Sequence, residues 1–334
     1  MRFLIVGCGA MGVRRARAVR MLGDHEIHGV DPREDRRIQL AELTGATVWE
    51  NFEQGLEVKP DFALICTPPH LQAGYVLDCI EAGLDVFCET PVALDLHRFD
   101  QIVRTAEAAR VFVGPSCTFL HNEIHRKIKG LLDEGKLGKP LAMASHLGRR
   151  LAAGRLDEDS GNLNNSKRSQ GNMCFEALTQ DFQLLAWLFG EVRALFCMAR
   201  RRNTALDIEE GAFDVYDILV DMASGVSVTL HQDLFQRPEG DCRKIICENG
   251  TISWDWQKLE MGLQYNLLEP PEWLPVPLSD AYDYETMFAD EMRHTLRALH
   301  GEEVYLMPLG KYRRILEHTL ACAESSERGI QMSW

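Results

Sequence analysis

Gly7-Cys8-Gly9-Ala10-Met11-Gly12 follows directly on a short apolar run, Phe3-Leu4-Ile5-Val6, and precedes a helix-forming stretch from Val13 to Leu22 that Gly23 closes. The pattern is G-x-G-x-x-G. Each glycine meets a different demand: Gly7 makes the tight turn, Gly9 admits a pyrophosphate, and Gly12 lets helix and strand pack closely. Unpaired N–H groups and a partial positive charge at the helix start suit phosphate. A second strand-like run, Glu26 to Val30, ends in Asp31, 19 residues beyond Gly12. That is close to the spacing of about 20 at which a carboxylate meets ribose hydroxyls. Gly7, Gly9, Ala10, Met11, Gly12 and Asp31 are therefore expected to hold a dinucleotide. The carboxylate repels a 2′-phosphate and favours NAD. Arg33 and Arg36 could accommodate such a phosphate, so NADP stays open.

Two more polar stretches end strand-like runs. Asp61–Cys66 leads into Thr67-Pro68-Pro69 and a helix from about His70 to Ala82, and Asp85–Cys88 leads into Glu89-Thr90-Pro91. A helix over Leu96–Ala109 and a further strand over Val111–Gly114 follow. Strands alternating with helices predict a Rossmann domain, a doubly wound parallel sheet. Ligands of such sheets lie beyond the carboxyl ends of the strands. Cys66, Thr67, Pro68, His70, Glu89 and Thr90 accordingly join the expected cofactor set, together with Arg33.

Beyond residue 118 the pattern changes. A helix is expected over Glu123–Glu134, a strand over Leu141–Leu147, a polar loop over Arg155–Gln170 and a helix over Phe175–Phe189 closed by Gly190. β-Prone segments follow at Glu191–Met198, Ala212–Met222, Val226–Leu234, Arg243–Glu248 and Thr251–Trp256. Ser224-Gly225 and Asn249-Gly250 are turn signals that pair neighbours antiparallel. Helices over Tyr282–Leu299 and Lys311–Arg328 close the chain. The fold class is thus α/β plus α+β. A nucleotide-binding domain spans 1–118. A domain with an open, mainly antiparallel sheet and helices spans 119–334, and its last helix could pack back on the first domain.

The chain has 334 residues, 46% of them hydrophobic, and a net charge of −14. Its negative field disfavours nucleic acid and anionic membranes as partners. No apolar run approaches the roughly 20 residues of a membrane helix. Ten cysteines are scattered with no CxxC pair. They read as buried, reduced thiols of a cytoplasmic protein. No cysteine and histidine spacing marks a structural zinc site, and no metal is expected.

Taken together, Gly7–Gly12, Thr67-Pro68-Pro69, Glu89-x-Pro91, Leu137-Gly138-Lys139, Trp187–Val192, Asn249–Trp254 and Glu324-Ser325-Ser326 resemble the Gfo/Idh/MocA family. That family is named for glucose–fructose oxidoreductase and inositol dehydrogenase, and the likeness covers nearly the whole chain. It implies NAD(P)-dependent oxidation or reduction of sugars, polyols and related compounds. It also implies oligomers, expected here as a homodimer or homotetramer through the C-terminal sheet.

Three positions depart from the family pattern. Its Glu-Lys-Pro is Glu89-Thr90-Pro91 here. Its helix motif, approximately Asp-x-x-x-His-Asp-x-Asp, falls on Glu176 to Gln183, so aspartate and histidine become Glu176 and Gln180. Alcohol oxidation needs a base for the hydroxyl proton, which threonine and glutamine cannot supply. Glu176 can, if burial raises its pKa, and it lies one turn before Gln180. The catalytic set read from the resemblance is Glu176 as acid/base, with Thr90 and Gln180 orienting substrate. Other candidate bases are His70, His121 and His125 (expected on one helix face), and the strand residues His146 and His231. Asn162–Arg168 offers hydroxyl- and carboxylate-binding groups, with Lys167 as a substitute cation. Two alternatives stand beside a dehydrogenase. One is a protein that binds NAD(H) without turnover, as a sensor or partner subunit. The other is a lyase or hydrolase that recycles its nicotinamide internally.

Overall fold

The computed structural model describes residues 1–150, 173–204, 212–256, 262–269, 271–279 and 283–334. They fall into two compact units. Met1–His121 and Asp283–Leu316 belong to one, and the described residues within 122–155, 173–282 and 317–334 to the other. The units are not continuous in sequence, because the chain returns to the first after residue 282.

The first unit is built on β1 (Arg2–Val6), α1 (Ala10–Met21), β2 (Glu26–Val30), α2 (Glu34–Thr44), β3 (Thr47–Trp49) and α3 (Phe52–Glu57). It continues with β4 (Phe62–Ile65), α4 (Pro69–Glu81), β5 (Val86–Cys88), α5 (Leu96–Ala109) and β6 (Val113–Pro115). All pairings in this sheet are parallel, in the order β3-β2-β1-β4-β5-β6. The order reverses at β1/β4, which puts the switch point beside the glycine loop. Strands covered on both faces need apolar residues at every position. Phe3, Leu4, Ile5, Phe62, Ala63, Leu64, Val86 and Phe87 meet this condition, all fully buried. Each large one contributes roughly 1.5–3 kcal/mol by leaving water. A 3-10 turn (Thr118–His121) and α8 (Thr286–Leu299) complete the unit, with Met292 of α8 inside the same apolar cluster as Phe3 and Phe87.

The second unit comprises α6 (Glu123–Asp133), β7 (Pro140–Arg150), α7 (Met173–Phe189), β8 (Val192–Arg200), β9 (Val215–Met222), β10 (Ser227–Asp233), β11 (Phe235–Cys247), β12 (Gly250–Asp255), β13 (Leu263–Leu267) and β14 (Leu274–Pro275). β15 (Met332–Ser333) adds an edge, and α9 (Leu309–Arg328) has residues in both units. The sheet order is β14-β13-β12-β11-β7-β10-β9-β8-β15. As the turn signals require, β9 pairs with β10 and β11 with β12 antiparallel. β7 and β10 lie parallel at the centre, so the sheet is mixed. One face alternates into the core through Val228, Leu230 and Gln232, and the other carries Thr229 and His231. The Glu324-Ser325-Ser326 marker has a backbone task. Ser325 Oγ accepts from Cys197 N at 2.9 Å and Ser326 Oγ from Ala199 N at 2.8 Å, tying α9 to β8.

No helix of the described residues is long and apolar enough to cross a membrane. Nine described cysteines are free thiols.

Candidate functional site

Backbone geometry sets the glycine loop. Gly7 has φ +98°, and a Cβ there would stand 2.8 Å from Cys66 O. At Gly12 a Cβ would meet Gly7 O at 2.1 Å, so contact between helix and strand demands glycine. Gly9 differs, because the nearest atom to a Cβ there is Arg36 Nη1 at 3.7 Å. Packing therefore does not forbid a side chain at Gly9, and the open space beside it fits an approaching pyrophosphate. Gly9 is also the N-cap of α1 and provides no side-chain cap. The first-turn N–H groups, at Ala10 and Met11, stay free for an anion.

Asp31 ends β2, buried, with Oδ2 accepting from Cys8 N at 2.9 Å and Oδ1 from Arg33 N at 2.9 Å. The carboxylate is thus locked against the glycine loop, where ribose hydroxyls would meet it. Arg33 turns its guanidinium to Asp35. It is Arg36, 3.9 Å from Asp31 Oδ2, that overlooks Gly9. Burial first, then the Asp31 charge, pushes the Cys8 thiol up to about 12. Burial and Glu89 likewise hold Cys66 well above the ordinary thiol range. Neither thiol is a nucleophile at neutral pH.

Cys66, Thr67 and Pro68 follow β4, and His70 is exposed in the first turn of α4. Thr67 Oγ1 is buried with no hydrogen-bond partner among the described residues, an orphaned polar atom of the kind ligand sites leave. Glu89 and Thr90 follow β5, and the Thr90–Pro91 peptide is cis. Thr90 is buried and donates its hydroxyl to Ser116 O at 2.9 Å. Its lone pairs remain as acceptors.

A residue that pattern reading passed over organises this edge. Arg15 of α1 is 0% exposed. It donates to Glu89 Oε1, to Glu291 Oε2 at 2.7 Å, to Ser116 Oγ at 3.1 Å and to Thr118 Oγ1 at 2.9 Å. Its guanidinium carbon lies 4.5 Å from the Phe87 ring centroid and 5.0 Å from that of Phe288. Burial raises the Glu291 carboxyl, but Arg15 and donors from Thr118 and Cys117 outweigh it and leave the pKa below its usual value. The ion cluster thus fixes Glu89, and with it the start of Thr90-Pro91. In sequence Arg15 is one of four arginines on α1, beside Arg14, Arg17 and Arg20, and nothing local singles it out.

On α7, Glu176 and Gln180 are half-buried one turn apart, with Gln180 Nε2 donating to Glu176 Oε1 at 3.4 Å. Asp181 points elsewhere. It is buried and accepts from Arg243 at 2.6 Å and Gln232 at 2.6 Å, clamping α7 to the sheet. The structure thus pairs Glu176 with Gln180, and separately gathers the cofactor candidates at the strand ends of the first unit. His121 and His125 do not share a helix: His121 ends the 3-10 turn and His125 belongs to α6, with Asn122 capping α6 between them. Arg155–Gln170, including Asn162–Arg168 and Lys167, lies outside the described residues.

A glycine loop, an acid ending β2 and a parallel sheet define a dinucleotide-binding domain, and comparison with known proteins agrees. Residues 1–116 match the model of the oxidoreductase family with an NAD-binding Rossmann fold, and residues 125–253 match the Gfo/Idh/MocA C-terminal domain. The chain belongs to the Gfo/Idh/MocA oxidoreductase family. A myo-inositol 2-dehydrogenase of Thermotoga maritima is 30% identical over 145 residues, 42% of this chain and 43% of that protein. A 2,7-anhydro-N-acetylneuraminate hydratase of Mediterraneibacter gnavus is 28% identical over 151 residues, 42% of this chain and 37% of that one. Each match spans less than half the relative's length. The WlbA dehydrogenase of Bordetella pertussis, solved with NADH and UDP-GlcNAcA, shares the fold at a TM-score of 0.82 and 17% identity, over 100% of this chain and 97% of that one.

Proposed function

We propose that the protein is an NAD-dependent dehydrogenase or reductase of a sugar, polyol or sugar-derived substrate, with atypical acid–base residues. The observation that carries this reading is the open, uncapped start of α1 behind Gly9, with Asp31 locked beside it. NAD, when bound, supplies the hydride acceptor. The chain supplies phosphate contacts from Gly7 to Gly12, ribose contacts from Asp31, and contacts near the nicotinamide from Cys66, Thr67, Pro68, His70, Glu89 and Thr90. In this reading Glu176 takes the proton of the substrate hydroxyl. Gln180 holds that carboxylate by the bond it already makes. Thr90, its hydrogen committed to Ser116 O, accepts from a substrate hydroxyl. The inositol dehydrogenase relative supports a polyhydroxylated substrate.

A homodimer or homotetramer through the nine-stranded sheet belongs to the same proposal. Phe196 (41% exposed), Leu219 (58%) and Ile246 (46%) form the kind of apolar face such contacts use. The hydratase relative favours a second reading, a lyase or hydrolase that oxidises its substrate, eliminates or adds water, and returns the hydride. One experiment separates these readings. Purified protein with NAD is incubated with a panel of inositols, sugars and sugar acids, following both NADH absorbance and product mass. NADH formation supports the dehydrogenase, and product without net NADH supports the recycling enzyme. NADH binding with neither signal points to a sensor or partner subunit.

A further inference from the structure

The face of the nine-stranded sheet turned away from α7 holds a cluster that proton handling and cofactor binding leave unused. Across the central strands, His146 of β7 stands in register with His231 of β10, and His231 with Asp217 of β9. The two imidazoles stack with centroids 4.5 Å apart and planes 19° apart. Asp233, two residues beyond His231, shares this face. Gln232 between them points the other way, to Asp181. One ligand atom from each of His146, His231 and Asp233 lies within 4.8 Å of the others.

We propose that His146, His231 and Asp233 bind one divalent first-row transition-metal ion of the zinc type. Two imidazoles with one carboxylate suit zinc and its neighbours, whereas magnesium and calcium prefer all-oxygen sites. Three features show preparation beyond mere proximity. His231 Nδ1 contacts Asp217 Oδ1 at 2.7 Å, the carboxylate–imidazole contact that sets the tautomer and leaves Nε2 free to ligate. That Nε2 already faces Asp233 Oδ2 at 3.1 Å. Asp233, 3% exposed, is held by Phe235 N at 2.9 Å and Gln236 N at 2.7 Å through Oδ1, which reserves Oδ2. A tetrahedral ion with ligands at about 2.0–2.2 Å needs them roughly 3.4 Å apart. Binding therefore requires the partly exposed imidazoles to turn, and His146 Nε2 to exchange its contact with Gln236 Oε1 for the ion. Three protein ligands leave a coordination position facing a concave region of about 680 Å³ that also carries Cys242 and Lys244. The ion would fasten the parallel pair β7 and β10. Its ligands come from separate strands, so no local spacing reveals them.

The test uses the full chain, freed of any histidine tag and stripped with chelator, in equilibrium dialysis against Zn²⁺ and a Co²⁺ absorption titration. One ion per chain is expected, with a Co²⁺ d–d band and no response to Mg²⁺. His146→Gln and His231→Gln should each weaken binding at least tenfold, and Asp217→Asn by about 10- to 100-fold. NADH affinity, which reports on folding, should stay unchanged in all three. Wild-type protein that takes up no stoichiometric Zn²⁺, or variants that bind it as tightly as wild type, would overturn the proposal.

Discussion

The glycine loop before α1 and the first turns of α7 both carry residues expected to meet a ligand, but different physics determines them. At the loop, backbone does the work. Gly7 and Gly12 are forced by Cys66 O and Gly7 O, while Gly9 faces open space. No other residue type meets the geometry at Gly7 and Gly12, so the pattern can be read. On α7 the fold asks for a helix clamped by Asp181 to Arg243 and Gln232, a clamp that does not include Glu176 or Gln180. A cofactor site written in backbone is therefore legible, whereas the proton handling proposed for α7 rests on side-chain identities alone.

The largest effect should come from the cluster that underlies the first region. Arg15→Leu leaves the buried Glu291 and the half-buried Glu89 without their cation, and should cost about 3–5 kcal/mol, read from the urea midpoint. A loss below about 1 kcal/mol would show that the strand ends do not depend on this cluster.

Next, Gly9 and Gly12 should separate. Gly12→Ala drives a Cβ to 2.1 Å from Gly7 O and should destabilise the fold itself. Gly9 has φ −71°, acceptable to alanine, and room for a Cβ. Gly9→Ala should therefore keep its melting temperature within a few degrees yet bind NADH about tenfold more weakly or worse, a change near 1.4 kcal/mol. Equal NADH affinity in Gly9→Ala would remove the argument from open space.

A pH dependence follows from Glu291. Its folded carboxyl is held below the unfolded value of 4.5, so the stabilisation is complete above that pH and is lost as pH falls through the folded value. Denaturation below pH 4.5 should show this acid limb in wild type, and Glu291→Gln should flatten it. The smallest effect is expected at Thr90. Thr90→Val removes the bond to Ser116 O for about 1 kcal/mol and should raise KM more than it lowers kcat. A collapse of kcat alone would move Thr90 into the proton path.

Much of the fold could be read from pattern because its signals are local. β2 and α5 fall where apolar periodicity and turn residues put them. α2 gave little pattern, since only Leu40 of its eleven residues is buried. The first half of β11 carries Arg237, Pro238, Glu239 and Gly240, an irregular stretch held at its ends by the pairs Phe235–Arg150 and Gly240–Gly148 with β7. The parallel pairing of β7 with β10 joins residues 85 positions apart, such as Ser227 and Ala142, and nothing local encodes it. Arg15 illustrates the same limit at the site: its partner Glu291 lies 276 residues away. In sequence it is only one arginine among several on α1.

The proposed function pairs NAD binding by the first region with proton transfer by Glu176. The direct measurement is NADH affinity and NAD⁺ reduction with the best polyol substrate, in wild type and Glu176→Gln. Unchanged affinity with turnover reduced about 10²- to 10⁴-fold is the expected result. Equal turnover in both proteins would contradict the claim.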